Sequence, residues 1–169
     1  MKPGKPQEAA RRLFGTNGVR GVVNTKGMDC EFAMRLGLAI GTYMKGPVMM
    51  GTDARTSNDM LRAACSAGIM ASGCDVLDCG LIPTPALQYA VKRNEVAGGV
   101  MITASHNPPE FNGIKCIDPD GTEMARSNEE KIEALYHSAG FRRAGWSDIG
   151  GTRAYTTAAE EYIDGIVSL

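Results

Sequence analysis

AGGVMITASHNPPEFNGIKCID, residues 97–118, decides how the rest of the chain is read. It opens on a short apolar run that predicts a buried strand over 97–104. It closes on GIKCID, a second predicted strand over 113–118, with the turn residues PDG behind it. Between the two stand a serine, a histidine, an asparagine and two prolines. The chain therefore leaves a buried strand and at once sets a reactive hydroxyl, Ser105, on a stiff loop.

Outward from that stretch the pattern alternates. GPVMMGTD (46–53) and DVLDCG (75–80) read as further short buried strands bounded by turn residues. Asp29 predicts the cap of a helix running to about Met44, with Phe32, Ala33, Leu36, Ile40 and Tyr43 at helical spacing. Thr56 or Ser57 opens the next helix, in which Leu61, Ala64, Cys65, Gly68 and Ile69 share a face, and Gly73 ends it in a left-handed conformation. PTPALQYAVKRN (83–94) reads as a short helix entered through proline. Ser127 and Glu130 have capping-box spacing, ahead of a helix that turns Ile132, Leu135, Tyr136 and Ala139 inward and stops at Gly140. Thr157 and Glu160 repeat the device before Tyr162, Ile163, Ile166 and Val167. This alternation predicts an α/β fold: a three-layer α/β/α sandwich around a mixed, mostly parallel sheet of about four main strands.

The bulk properties suit one soluble domain with a real core, at 169 residues, 43% hydrophobic and 22% charged. A formal charge of −1 and 6% aromatics argue against nucleic acid, which needs a basic face or a stacking platform. No window approaches the apolar length of a membrane helix, and no apolar core follows the polar start. The five cysteines are odd in number, lack a C-x-x-C pair and sit partly in apolar periodic stretches, as reduced thiols do. A cytoplasmic protein without membrane partners is the expectation.

Four places collect reactive groups on predicted loops. FGTNGVRG (14–21) is no dinucleotide fingerprint, yet amides freed by its glycines could cradle an anion beside Arg20, or simply turn the chain. GTDART (51–56) follows a strand at the edge where open α/β sheets bind ligands, and Arg55 there either meets an anion or pairs with Asp53. Ser105 lacks the glycine-flanked elbow of a hydrolase, and His106 beside it is badly directed to act as its base. Lys115, inside an apolar strand, either snorkels from a sheet edge or serves as a general acid/base.

Together TASHNPPEFNGIK, FGTNGVRG, GTDART and PTPAL, in this order, resemble the first domain of the α-D-phosphohexomutase family. That family holds phosphoglucomutases, phosphomannomutases and phosphoglucosamine mutases. The resemblance implies a flexible tail over 1–12 and the phosphoserine domain over 13–169, with domains 2–4 absent from this chain. It implies that Ser105 carries a phosphoryl group, exchanged with hexose phosphate through a bound hexose bisphosphate. By the same resemblance Lys115 handles the sugar hydroxyl's proton, His106 and Asn107 shape the loop, and Arg20 stands near the phosphoserine. Thr103, Asn107, Arg55, Gly15 and Thr16 become phosphate-binding candidates. A Mg2+ ion would touch an oxygen of the phosphate on Ser105 and three aspartates of a D-G-D-x-D-R loop, which this sequence does not contain. The chain alone is therefore expected to be inactive. Asn17 leans the sugar toward glucosamine. Two rival readings remain: a serine hydrolase assembling Ser105 with His137 and Asp118, and a non-catalytic sugar-phosphate or anion-binding module.

Overall fold

The structure, a computed structural model, describes residues 12–15, 18–25 and 27–168. Apart from Arg12, the tail expected at the start lies outside them. Among the described residues six strands form one sheet: β1 (Val19–Val22), β2 (Val48–Thr52), β3 (Val76–Leu81), β4 (Gly98–Ile102), β5 (Phe111–Ile117) and β6 (Thr152–Ala154). Their order across the sheet is β1-β5-β4-β2-β3-β6. β2, β3, β4 and β6 run parallel, while β5 runs antiparallel to both β4 and β1. Helices α1 (Cys30–Met44), α2 (Asn58–Ala71) and α4 (Arg126–Ser138) cover one face, and α3 (Thr84–Arg93) and α5 (Ala158–Val167) the other. The α/β/α sandwich expected from the alternation is present, with a mixed sheet.

Strands β2 to β5 are the four that the apolar runs predict. Every residue of β2 and β4 is buried, because helices close both sides of the sheet. The sheet is wider than expected by two edge strands. β1 lies in the glycine-rich stretch read as a loop; it is a strand because its backbone pairs with β5, Val19 facing Ile114 and Val22 facing Phe111. β6 is three exposed residues with no apolar period to announce them.

Helix ends follow the sequence where the cap is local and depart from it where a tertiary partner competes. Asp29 accepts a 2.8 Å hydrogen bond from the Phe32 amide, and Gly73 takes φ 86° after α2, both as expected. Ser57 holds the N-cap position of α2, as expected, but its hydroxyl makes no cap bond and instead accepts from Asn112 Nδ2 at 2.8 Å. The Ser127–Glu130 capping box does not form, since α4 begins at Arg126 and Glu130 pairs with that arginine at 3.1 Å. Ala139, not Gly140, takes the left-handed turn that ends α4, at φ 53°. Thr157 donates to Glu161 rather than joining Glu160.

The last helix also turns differently from its pattern. Ala158 and Tyr162 pack on α3, where Tyr162 meets Tyr89 edge-on at 5.8 Å. Ile163, Ile166 and Val167, which the pattern groups with Tyr162, are exposed. The cysteines behave as read: all five are free, and Cys65, Cys74 and Cys116 are buried. Burial pushes the Cys65 thiol up to about 12, so it stays protonated and packs as a small apolar group. Among the described residues no helix is long and apolar enough to cross a membrane.

α1 and α2 cross so closely that neither can carry a side chain at the contact. A Cβ on Gly37 would collide with the Cys65 carbonyl, and one on Gly68 with the Met34 carbonyl. Gly68→Ala is expected to destabilise the chain by about 1–3 kcal/mol through overpacking. Alanine's better helix propensity, about 1 kcal/mol, works in the opposite direction and does not offset it. Thermal unfolding measures the sign; a raised Tm would show that the two helices can separate without loss.

Candidate active site

Ser105 sits where β4 delivers the chain to the C-terminal edge of the parallel strands, the edge at which such sheets hold ligands. Ala104 is fully buried and Ser105 is exposed, so the chain turns outward within one residue. The turn requires Ser105 to take φ 57°, a left-handed conformation that costs a non-glycine residue roughly 1–2 kcal/mol. Local hydrogen bonds hold it there. The Ser105 amide donates to Thr103 Oγ1 at 2.9 Å, and the Asn107 amide donates to the Ala104 carbonyl at 3.1 Å. Both ends of the loop are tied into the β4–β5 pair, where the Thr103 amide donates to the Gly113 carbonyl at 2.9 Å.

Arg55, arriving from the loop after β2, binds the outer side of the serine loop. Its Nη1 donates to the carbonyls of Pro108 (2.7 Å) and Phe111 (2.9 Å), and its Nη2 to those of Ser105 (3.0 Å) and Asn107 (2.8 Å). Its Nε meets Asp53 Oδ2 at 3.2 Å. Asp53 Oδ2 also accepts from Thr103 Oγ1 at 2.6 Å, while Oδ1 accepts from Asn58 Nδ2 at 2.8 Å and from the Arg55 amide at 3.1 Å. Partial burial pushes the Asp53 carboxyl up, but hydrogen bonds from Thr103, Asn58 and Arg55, with the Arg55 charge, hold it below the usual carboxylate value. Asn112, fully buried on β5, extends the network by donating to Asn58 Oδ1 at 2.7 Å and to Ser57 Oγ at 2.8 Å.

Two further cations share one face of the sheet. Arg20 on β1 stands opposite Gly113 of β5, and Lys115 lies two residues along β5 on the same side. Gly113 is needed there: a Cβ would lie 3.0 Å from Arg20 Cγ and 2.6 Å from the Thr103 carbonyl. Across that gap Arg20 Nη1 reaches Asn107 Oδ1 at 2.9 Å. The Lys115 ammonium lies 3.4 Å from Glu123, and its side chain is 13% exposed. β5 is flanked by β1 and β4, so Lys115 does not snorkel from a sheet edge. Gly18 packs its backbone against the Lys115 stem, joining the glycine-rich stretch to the same neighbourhood.

The remaining candidates divide. Gly15 is exposed and closes a turn with its amide on the Gly18 carbonyl, at 2.9 Å. Thr16 and Asn17 lie outside the described residues. His106 is exposed, with Nδ1 3.5 Å from Ser105 Oγ. His137 sits on α4, 3.8 Å from Glu133. Asp118 follows the far end of β5, where it accepts from the Ala125 amide and Asn128. Ile117 pairs with Gly99 at the start of β4, so Asp118 and Ser105 occupy opposite ends of the strands and no hydrolase triad assembles. Among the described residues no three His, Cys, Asp or Glu side chains group as a metal site.

Sequence reading missed Asn58, Asn112 and Glu123. Asn112 alone carried a signal, as an amide beside the apolar run of β5. A cleft of about 430 Å³ beside the loop is lined by Asp53, Ala54, Arg55, Thr56, Asn107 and Pro109.

The model of the phosphoglucomutase/phosphomannomutase α/β/α domain I matches residues 11–143. Two proteins of Thermococcus kodakarensis are alike in sequence. One, named phosphoglucomutase/phosphomannomutase, is 45% identical over 148 residues, 84% of this chain and 32% of its own length. The other, named phosphopentomutase, is 46% identical over 142 residues, 84% of this chain and 31% of its own length. A phosphoglucomutase/phosphomannomutase family protein from Burkholderia thailandensis superposes with a TM-score of 0.81 at 27% identity, over 92% of this chain and 35% of its own. The chain spans about a third of the length of the curated relatives it matches.

The depressed Asp53 carboxyl sets a pH signature. Its contribution to stability is present above the unfolded value, about 3.9, and is lost as pH falls through the lower folded value. Asp53→Asn is therefore expected to be less stable than the parent at pH 7, with the gap closing below about pH 4. Urea unfolding of both proteins across that range reads the difference; a gap independent of pH would remove the carboxylate from the account.

Proposed function

The chain belongs to the phosphoglucomutase/phosphomannomutase family as its α/β/α domain I, and we propose that it carries a transferable phosphoryl group on Ser105 for a sugar-phosphate mutase. In this reading the complete enzyme moves phosphate between the 1- and 6-positions of a hexose through a bisphosphate. The observation that supports it is an exposed hydroxyl on a bend whose backbone is fixed at both ends, with Arg20 tied to the same loop. Phosphoryl transfer depends chiefly on positioning and charge stabilisation, so a rigid carrier beside cations suits it. A phosphoserine bears about −1.5 to −2 charges, and the positive charges of Arg20 and Lys115 would lower the repulsion of a second phosphate.

The proposed transfer balances simply. The sugar hydroxyl oxygen gains the bond to phosphorus, Ser105 Oγ keeps the electron pair of the bond that breaks, and in net terms one proton passes from the sugar to Oγ. Lys115 is the proposed relay: its ammonium, paired with Glu123, gives a proton to Oγ and takes the sugar's proton in its place. Magnesium, when bound, would neutralise charge through one oxygen of the Ser105 phosphate; this chain offers the ion no other cluster of ligands among its described residues. The substrate is a sugar monophosphate, with hexose first and pentose the alternative that the second Thermococcus relative raises.

Two outcomes test the reading. The 169-residue chain alone is expected to show no mutase turnover on glucose, mannose, glucosamine or ribose 1-phosphate, because it spans about a third of the length of the mutases it matches. When the chain replaces the matching third of the 45% identical Thermococcus protein, incubation with a hexose bisphosphate is expected to place one phosphoryl group on the Ser105 peptide. Ser105→Ala should remove that label and lower turnover by about a thousandfold or more. Full activity in that variant, with phosphate mapped to another residue, would refute the carrier role.

A further inference from the structure

We propose that Arg55, Asp53 and Thr103 are positioning residues for Ser105, a clamp that sets its left-handed bend, and that none of the three binds phosphate directly. The proposal rests on the carrier role of Ser105 and adds how the hydroxyl is aimed. Its strongest support is a count of donors. A guanidinium has five N–H groups, and all five of Arg55 have an acceptor: one in Asp53 and four in the carbonyls of Ser105, Asn107, Pro108 and Phe111. The Arg55 side chain is only 12% exposed. An anion can take a donor from Arg55 only by displacing Asp53 or freeing a carbonyl of the loop that presents the serine, so anion binding there would undo the geometry it needs.

Thr103 is committed in the same way. Its hydroxyl has one proton, which goes to Asp53 Oδ2 at 2.6 Å, and it accepts the Ser105 amide at 2.9 Å. Thr103 is buried, so its hydroxyl does not face solvent where a phosphate would arrive. Asp53 joins the two halves: the same Oδ2 receives Thr103 and the Arg55 Nε. The serine is thus gripped from both sides, its amide through Thr103 and its carbonyl through Arg55, and both grips end on one carboxylate. Arg20 differs, because it meets the loop through the Asn107 side chain and no backbone carbonyl.

The test uses the isotope-labelled 169-residue chain and needs no phosphate. A left-handed residue gives a strong intraresidue cross-peak between its amide and α protons. Ser105 is expected to show it in the parent and in Thr103→Ser, and to lose it in Thr103→Val and in Arg55→Lys. Exchange of the Ser105 amide should quicken by about tenfold in Thr103→Val, the loss of one net hydrogen bond, and return in Thr103→Ser. Resonances of α1 and α5 should stay in place, which separates a local change from unfolding. If Arg55→Lys fails to fold, the two Thr103 variants still decide. In the Thermococcus graft, Arg55→Lys should lower kcat by about 10- to 100-fold with KM unchanged, as a misplaced nucleophile does. Retention of the cross-peak and slow exchange in Thr103→Val would overturn the clamp. So would a raised KM with kcat intact in Arg55→Lys, the signature of a phosphate ligand. Failure of Ser105 to take up phosphate would refute the carrier role yet leave the cross-peaks as predicted, so the two ideas fail separately.

Discussion

The step from Ala104 to Ser105 carries the chain from complete burial to solvent through a backbone angle that serine disfavours. Much of the surrounding architecture can be understood as what makes that step stable. The left-handed region costs roughly 1–2 kcal/mol per residue, whereas a hydrogen bond to a charged donor contributes about 1.5–3 kcal/mol. Four such bonds from Arg55 converge on the loop, two of them on Ser105 and Asn107. The bend is therefore over-determined by its partners, which is the condition under which unfavourable backbone angles persist in folded proteins. A glycine at 105 would adopt the angle freely but would bring no hydroxyl.

Topology supplies the partners. Because β5 runs antiparallel to β4, the serine loop is a short connection between adjacent strands, and Thr103 and Gly113 face each other at its base. A parallel continuation would have required a helical crossover and left the loop tied at one end only. The same reversal brings Lys115 back along β4, opposite Met101, and opens an outer edge on which β1 can add Arg20. Parallel β2, next to β4 on its other side, ends level with it and hands over Asp53 and Arg55. Arg20 and Arg55 thus bond one loop from distant segments, with Lys115 two residues along β5 from the loop's base at Gly113, because the sheet mixes its strand directions.

The sequence made the interior legible and the partnerships much less so. Buried strands announce themselves because both faces are covered and the apolar run is unbroken, as in Val48–Thr52 and Gly98–Ile102. β1 gave no such sign, since Arg20 and Gly21 are strand residues only by virtue of β5 beside them. Asp29 was readable as a cap because its partner is three residues away. Ser57 and Thr157 were readable as helix starts, but the bonds of their hydroxyls were not, because a polar side chain within reach of other polar partners has more than one use. Ser105 stood out by the residues around it, TASHNP. Arg55 stood out as a cation, but the direction of its five donors depends on where residues 105–111 fold, and no spacing encodes that.

Charge alone would place Arg55 with Arg20 and Lys115 as one anion-binding group, and the geometry divides them. Arg55 is matched by Asp53, so the pair contributes little net field to an approaching phosphate. The loop side of Arg20 is an uncharged amide, Asn107 Oδ1, which leaves its positive charge uncompensated in that contact. Lys115 shares its charge with Glu123, which is half exposed and can yield to a stronger anion more easily than the enclosed Asp53 network can. Rigidity and free charge are thus divided between different side chains: Arg55 spends its donors on the serine loop and Asp53, while Arg20 and Lys115 lie on the face of β1 and β5. Two relatives with nearly equal identity to this chain are named for different sugars, so likeness over this domain does not by itself select the sugar.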